Sequence, residues 1–86
     1  MSPVLINGEP GNGVSVLDRG FQYGDGLFET LAVENGVPLL IDRHLQRMHH
    51  GAGRLGIPMP SEEVLRQEAG QVCHGAARGV LKIILT

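Results

Sequence analysis

The spacing of apolar residues changes near Asp42, and this change decides the fold class. Before it, side chains alternate in character, as in "LFETLAV" at 27–33, which is typical of a strand. After it, apolar residues recur every three or four positions, which predicts two amphipathic helices. A final apolar run, "VLKIILT", returns to strand character. This order predicts an α+β domain of two layers, a largely antiparallel sheet with two packed helices. The two helical stripes consist of Leu45, Met48, Ala52 and Leu55, and of Leu65, Ala69, Val72 and Ala76.

Turn and capping residues predict where these elements begin and end. Further short strands are expected at "PVLING", "VSVL" and "VPLLI", and Pro38 favours an edge position or a bulge for the last of them. Asp42 is the predicted N-cap of the first helix, and Gly56 its end. Ser61 is the predicted N-cap of the second helix.

Size and composition indicate one small domain that relies for its stability on a larger protein or on a partner. The chain has 86 residues, of which 42% are hydrophobic, so it is globular rather than disordered. Aromatic residues make up only 3%, which is thin for an independent core. The last residues, "GVLKIILT", have the character of a buried strand with no polar exit. We therefore expect residues 1–86 to be the N-terminal part of a longer protein.

Charge and cysteine content exclude several classes of function. The net charge is −2 and no basic run exists, so nothing predicts nucleic-acid binding. The single cysteine, Cys73, cannot form an internal disulfide, which favours a cytoplasmic location. It lies on an apolar helix face and is expected to be a buried structural thiol. No signal peptide is evident, and no apolar run approaches the roughly 20 residues that span a bilayer.

Basic side chains gather on one side of the first predicted helix, opposite its apolar stripe: Arg43, Arg47, His50 and Arg54. This row is either a solvated basic face or an anion site, since an arginine can bond two phosphate oxygens at once. Spacing alone does not say which arginine would do so. The row through His44, Arg47 and His50 offers no carboxylate partner in the sequence, and we expect no metal site.

The stretch "DRGFQYGDGLFET" places three glycines between two apolar runs. Glycine permits close approach of another backbone or a ligand. The stretch is therefore either a tight structural connection in which Tyr23 and Phe28 fill space, or the wall of a site to which both side chains contribute. Lys82, the only lysine, interrupts an apolar strand. It either faces solvent together with Ile84 or stands at the mouth of a site and meets a substrate carboxylate.

Three motifs in fixed order resemble one family. "DRG-x-x-YGDG-x-FET", "HLQRM" and "RLGIP" are similar to the N-terminal region of the fold-type IV pyridoxal-phosphate enzymes, the class-IV aminotransferase family. The resemblance runs from about Leu5 to Thr86. It implies the small domain of that fold, pyridoxal 5'-phosphate as cofactor, a small-molecule substrate and a homodimer.

The resemblance also implies roles for individual residues. Arg47 matches the arginine that grips the cofactor phosphate. Tyr23, Phe28 and Thr30 match positions on the substrate side of the pocket, and Lys82 matches a position that is lysine in lyase-like members. No catalytic residue is expected in this chain, because the lysine that holds the cofactor as a Schiff base would lie beyond Thr86.

Within the family, "GDGLFETLAV" and "GVLKIILT" are more similar to the carbon–carbon lyases than to branched-chain or D-amino-acid aminotransferases. An aminotransferase of the same fold is the nearest alternative. A non-catalytic small-domain interaction module is the alternative from another class. A fragment that ends at Thr86 is expected to be inactive on its own.

Overall fold

The computed structural model describes residues 3–86, in which the elements follow the predicted order of strands, two main helices and a last strand. In chain order they are β1 (Leu5–Ile6), β2 (Glu9–Pro10), α1 (Arg19–Tyr23), β3 (Leu27–Glu34), β4 (Val37–Pro38), α2 (Ile41–Leu55), α3 (Glu62–Cys73) and β5 (Arg78–Leu85). β1 and β2 form a two-stranded sheet, and a three-stranded sheet has the order β4-β3-β5. All pairs are antiparallel, which confirms the α+β prediction.

The pairing of β3 with β5 sets the two faces of the larger sheet. It runs from Leu27 opposite Leu85 to Glu34 opposite Arg78. Because side chains alternate along a strand, the odd-numbered residues of both strands share one face. Leu31, Val33 and Leu81 on that face are buried with Ala69 and Cys73 of α3. The even-numbered residues lie on the outward face and are exposed.

Several predicted boundaries are confirmed. Pro38 lies in β4, an edge strand of the sheet. Ser61 caps α3, its side chain accepting a hydrogen bond from the Val64 N–H. Gly56 ends α2 in a left-handed conformation, with φ of 69°. Cys73 is buried, and burial raises the pKa of its thiol, in agreement with a structural role.

The predicted N-cap of α2 is wrong. The helix begins at Ile41, so Asp42 lies in its first turn, and Leu40 occupies the cap position with φ of 58° and no side-chain cap. Leu39 donates its N–H to the Ala32 carbonyl, which holds the chain close to β3 immediately before the helix. The left-handed residue therefore makes the turn into the helix, while Asp42 adds negative charge at its start and accepts a hydrogen bond from Arg66 of α3.

The predicted strand "VSVL" is also wrong. Residues 14–17 form no strand and are exposed, and none of the described residues pairs with them. Ser15 turns the chain instead, because its hydroxyl accepts from the Leu17 N–H and its carbonyl from the Asp18 N–H. The stretch leads into α1, a helix that the sequence pattern did not predict. Asp18 caps α1 by accepting from the Phe21 N–H, and Gly24 ends it with φ of 73°.

Two glycines of the stretch "DRGFQYGDGLFET" lie against the end of β5. A Cβ atom at Gly26 would be 2.9 Å from the Leu85 carbonyl oxygen, and one at Gly20 would collide with the Thr86 side chain. The Thr86 hydroxyl also donates to the Asp18 carboxylate over 2.7 Å. The glycines therefore let the chain pass close to the β5 terminus.

Gly26→Ala is expected to lower the free energy of unfolding by about 1–3 kcal/mol, because the backbone oxygen at 2.9 Å leaves no room for a methyl group. Gly53→Ala is the matched control. Gly53 lies within α2 with open space around its Cα, so alanine should stabilise the protein by about 0.5–1 kcal/mol. Chemical denaturation of both variants measures the difference, and equal stabilities would contradict the close approach at Gly26.

Within residues 3–86, no helix combines the length and apolar character that crossing a membrane requires.

Candidate anion-binding site

A buried carboxylate on β3 binds two basic side chains of α2. Glu29 accepts hydrogen bonds from Arg47 through Nε, at 3.0 Å to Oε2, and through Nη2, at 2.8 Å to Oε1. His44 Nδ1 lies 2.6 Å from the same Oε1. The expectation that the row of His44, Arg47 and His50 has no carboxylate partner is therefore wrong. The partner comes from a strand 15 to 18 residues earlier, where local spacing on the helix gives no signal of it.

The environment of Glu29 favours its charged form. Hydrogen bonds from Arg47 hold the pKa of the Glu29 carboxyl below its usual value, burial opposes this, and the bond to His44 lowers the pKa further. Glu29 in turn raises the pKa of Arg47. The pair is therefore ionised at neutral pH, with the carboxylate buried beneath an exposed guanidinium.

Arg47 also lines a small cavity on the surface of α2. The cavity has a volume of about 210 Å³, and its walls are Leu40, Arg43, His44 and Arg47. The Arg47 side chain is 72% exposed and makes no other hydrogen bond to residues 3–86, so its remaining N–H groups are free to bind a ligand. Two guanidinium groups and an imidazole form a donor set that suits a phosphate group.

Three of the residues predicted to contact substrate lie together on the outward face of the sheet. Thr30 is paired with Lys82, and Phe28 with Ile84. Lys82 Nζ lies 4.8 Å from the centre of the Phe28 ring, within the range of a cation–π contact. Lys82 and Ile84 share this exposed face, as predicted by the alternative in which both side chains are turned to solvent. The ammonium group thus lies beside an apolar ring, and Thr30 is the strand partner of the same lysine.

The fourth predicted residue, Tyr23, stands apart from this group. It is the last residue of α1 and is 75% exposed. Within the part of the chain that the structure describes, its hydroxyl has no hydrogen bond, and its ring takes no part in the contact between Lys82 and Phe28. The structure therefore brings Phe28, Thr30 and Lys82 together without Tyr23.

Arg47 and the group formed by Phe28, Thr30 and Lys82 lie on opposite faces of the sheet, on either side of β3. Glu29, which Arg47 binds, points to the helix side, while its neighbours Phe28 and Thr30 point outward. β4 pairs only with Val33 and Glu34, so no strand within residues 3–86 covers this side of β3 from 27 to 31. This unpaired edge therefore borders side chains of both faces of the sheet.

A larger cavity, of about 760 Å³, lies between β1, α3 and the free side of β5. Its walls are mainly apolar and include Val64, Leu65 and Val72. The charged residues that line it, Glu68 and Lys82, have opposite signs. This lining lacks the cluster of positive donors found beside Arg47, so the anion site is assigned to α2.

The pKa of Glu29 is lower in the folded than in the unfolded chain, so its ion pair stabilises the fold fully at pH values above 4.5, the ordinary pKa of this side chain. This stabilisation is lost as the pH falls through the lowered pKa. Wild type is expected to lose about 1–3 kcal/mol of unfolding free energy from this group in acid. Glu29→Gln should remove that part of the pH dependence. Denaturation curves between pH 7 and pH 3 measure it, and identical slopes for both proteins would contradict the assignment.

Comparison with known proteins agrees with the fold and with the sequence motifs. A family model described as amino-transferase class IV matches residues 26–86. A D-alanine aminotransferase of Bacillus licheniformis is 36% identical over 50 residues, which cover 58% of this chain and 18% of that protein. An aminodeoxychorismate lyase of Vibrio harveyi is 40% identical over 55 residues, which cover 64% of this chain and 20% of that protein.

Solved structures extend the likeness to most of the chain. The crystal structure of 4-amino-4-deoxychorismate lyase from Pseudomonas aeruginosa superposes with a TM-score of 0.81 and 50% identity, covering 91% of this chain and 28% of that one. The chain spans about a fifth of the length of the curated relatives it matches. The family model covers more than half of the chain, and the chain therefore belongs to the amino-transferase class IV family.

Proposed function

We propose that this chain is the N-terminal small domain of a pyridoxal-phosphate enzyme and that the cavity on α2 binds the cofactor phosphate. The observation that carries the proposal is the arrangement of Arg47. Its guanidinium is bonded side-on to a buried carboxylate and lines a cavity with Arg43 and His44. The residues present fit a phosphate monoester, whose oxygens accept from such donors.

The chain's own part in the reaction is to bind and orient. Pyridoxal phosphate, when bound, supplies a ring that withdraws electrons from the substrate's amine-bearing carbon. Arg47 holds the phosphate, with Arg43 and His44 beside it. The lysine that carries the cofactor is proposed to belong to a C-terminal domain outside residues 1–86. The length of the curated relatives, about five times the matched region, supports a longer protein.

For the reaction, we propose the conversion of 4-amino-4-deoxychorismate to 4-aminobenzoate and pyruvate. The identity of 50% to the lyase from Pseudomonas aeruginosa supports it. Each product carries one carboxylate, so the substrate carries two. Lys82 is the proposed partner of one carboxylate, Phe28 forms an apolar wall beside it, and Thr30 offers a hydroxyl. Tyr23 is proposed to reach the substrate from the end of α1.

Pathway, compartment and oligomeric state are part of the same proposal. 4-Aminobenzoate is a precursor on the folate route. The single cysteine of the chain favours the cytoplasm. A homodimer is proposed because the outward face exposes large apolar side chains, among them Phe28, Val80 and Ile84. Nothing in the charge distribution favours a nucleic-acid partner.

An aminotransferase is the second candidate, favoured by the likeness to D-alanine aminotransferases. Both reactions use the same cofactor. They differ in whether the amino group passes to a 2-oxo acid or pyruvate is eliminated. Only the elimination yields 4-aminobenzoate without an amino acceptor.

The deciding experiment measures the intact mass of the purified protein and then incubates it with pyridoxal phosphate and 4-amino-4-deoxychorismate, without a 2-oxo acid. Equal amounts of 4-aminobenzoate and pyruvate would support the lyase. Transfer of the amino group from D-alanine or a branched-chain amino acid to 2-oxoglutarate, with no 4-aminobenzoate, would establish an aminotransferase. A mass of only the 86 residues with no retained cofactor would leave an interaction module.

Lys82→Met is expected to raise KM for 4-amino-4-deoxychorismate about tenfold with little change in kcat, since a hydrogen bond from a charged group is lost in binding. Arg78→Met is the matched control. Arg78 lies on the same strand and the same outward face, four residues from Lys82. Equal KM values for wild type and Lys82→Met would remove Lys82 from the substrate site.

A further inference from the structure

Glu29 is unusual among the charged side chains of residues 3–86, because it is buried, with 7% of its surface exposed. Its neighbours on the inner face of β3, Leu31 and Val33, are apolar. Burying a carboxylate is costly unless it is paired and hydrogen-bonded, and an apolar residue would pack against the helix without that cost. A carboxylate at this position therefore calls for a reason beyond packing.

The contacts of Glu29 hold it from two sides. Oε1 lies 2.6 Å from His44 Nδ1 and 2.8 Å from Arg47 Nη2, while Oε2 accepts from Arg47 Nε over 3.0 Å. His44 and Arg47 are three residues apart on α2 and so lie on one side of it. Because both bind the same oxygen, the carboxylate cannot rotate without breaking a bond to each.

A fixed carboxylate fixes the guanidinium plane. Arg47 uses the edge formed by Nε and Nη2 toward Glu29, and since the group is planar, the two N–H bonds of Nη1 point away from that edge. Arg43 lines the same cavity one turn earlier. The neighbour of Glu29 on β5 is Ile83, so in the described region its polar side-chain partners are His44 and Arg47 of α2.

We propose that Glu29 is a positioning residue for the phosphate site: its buried carboxylate, clamped by His44, holds the Arg47 guanidinium in the one orientation that leaves free donors toward the cavity shared with Arg43. The inference rests on the proposed function, which supplies the phosphate. Glu29 itself touches neither phosphate nor substrate. It acts through Arg47 by keeping the free donors ordered before the ligand arrives.

The test uses Glu29→Gln in the full-length protein, with Glu34→Gln as the matched control. Glu34 lies on the same strand but is exposed on the outward face, so the control makes the same change of charge away from Arg47. Dissociation constants are measured for pyridoxal phosphate and for inorganic phosphate. Hydrogen exchange of the Arg47 Nε–H is followed by NMR in the ligand-free protein. Glu29→Gln should weaken both ligands about tenfold and speed the exchange, and Glu34→Gln should do neither.

Arg47→Lys gives an independent measurement if Glu29→Gln does not fold. The side chain is largely exposed, and lysine keeps the charge but cannot bond the carboxylate side-on. It should weaken phosphate binding about tenfold, because the fixed orientation of the guanidinium donors is lost while the charge is kept. Phosphate binding by Arg47→Lys equal to that of wild type would overturn the proposal.

The outcomes separate the two proposals. If Arg47→Ala weakens phosphate binding while Glu29→Gln changes neither binding nor exchange, the positioning role is overturned and the phosphate site stands. If Arg47→Ala leaves phosphate binding unchanged, the phosphate site is overturned, and the positioning role falls with it.

Discussion

Arg47→Ala is expected to weaken the binding of pyridoxal phosphate by roughly 10- to 100-fold, the largest effect of any single change at the proposed site. The loss corresponds to charge-assisted hydrogen bonds between a guanidinium group and a phosphate. Arg47 is the one arginine of α2 that combines a fixed side-on contact to a buried carboxylate with a place on the cavity wall. Equilibrium dialysis, with the cofactor followed by its absorbance, measures the dissociation constant directly.

Arg54→Ala is the matched control for this change. Arg54 lies in the last turn of the same helix and is not part of the cavity lining. It should bind the cofactor as wild type does. Arg43→Ala, which removes a second cavity residue without a carboxylate beneath it, should fall between the two. Equal dissociation constants for the Arg47 and Arg54 variants would mean that α2 contributes general positive charge and no specific phosphate site.

The sheet and the helices could be predicted because their signals are local. Alternation along β3 and the spacing of three and four residues along α2 each lie within one segment, and Ser61 and Gly56 carry their capping chemistry with them. "VSVL" has the same alternation as β3 but lacks a partner strand in the described region, and a strand is stable only when it is paired. The local pattern therefore could not tell these two segments apart.

The site could be predicted only in part, because its contacts join distant segments. Alternation shows that Phe28 and Thr30 share a face, but only the register with β5 brings Lys82, 52 residues after Thr30, beside them. The bond between Glu29 and Arg47 likewise depends on how α2 packs on β3. The resemblance singled out Arg47, and only the fold shows what holds it in place.

The packing of α2 underlies both the fold and the anion site, and Leu45→Ala tests it. Leu45 has no exposed surface, so removing three carbon atoms should lower the free energy of unfolding by about 2–5 kcal/mol. A loss of that size is a large fraction of the roughly 5–15 kcal/mol by which a whole domain is typically stable. Urea denaturation monitored by circular dichroism measures the difference between variant and wild type.

Leu55→Ala is the control, and it also tests how far along α2 the packed part of the helix extends. The spacing of apolar residues placed Leu55 in the same buried stripe as Leu45, and this part of the prediction is wrong, because Leu55 is 47% exposed near the C-terminal end of the helix. It should therefore lose less than about 1 kcal/mol. Equal losses for the two variants would mean that the buried part of α2 extends to its last residue. Because His44 and Arg47 flank Leu45 on the same helix, a large loss for Leu45→Ala alone would support the packing that brings both side chains to Glu29, before any ligand is added.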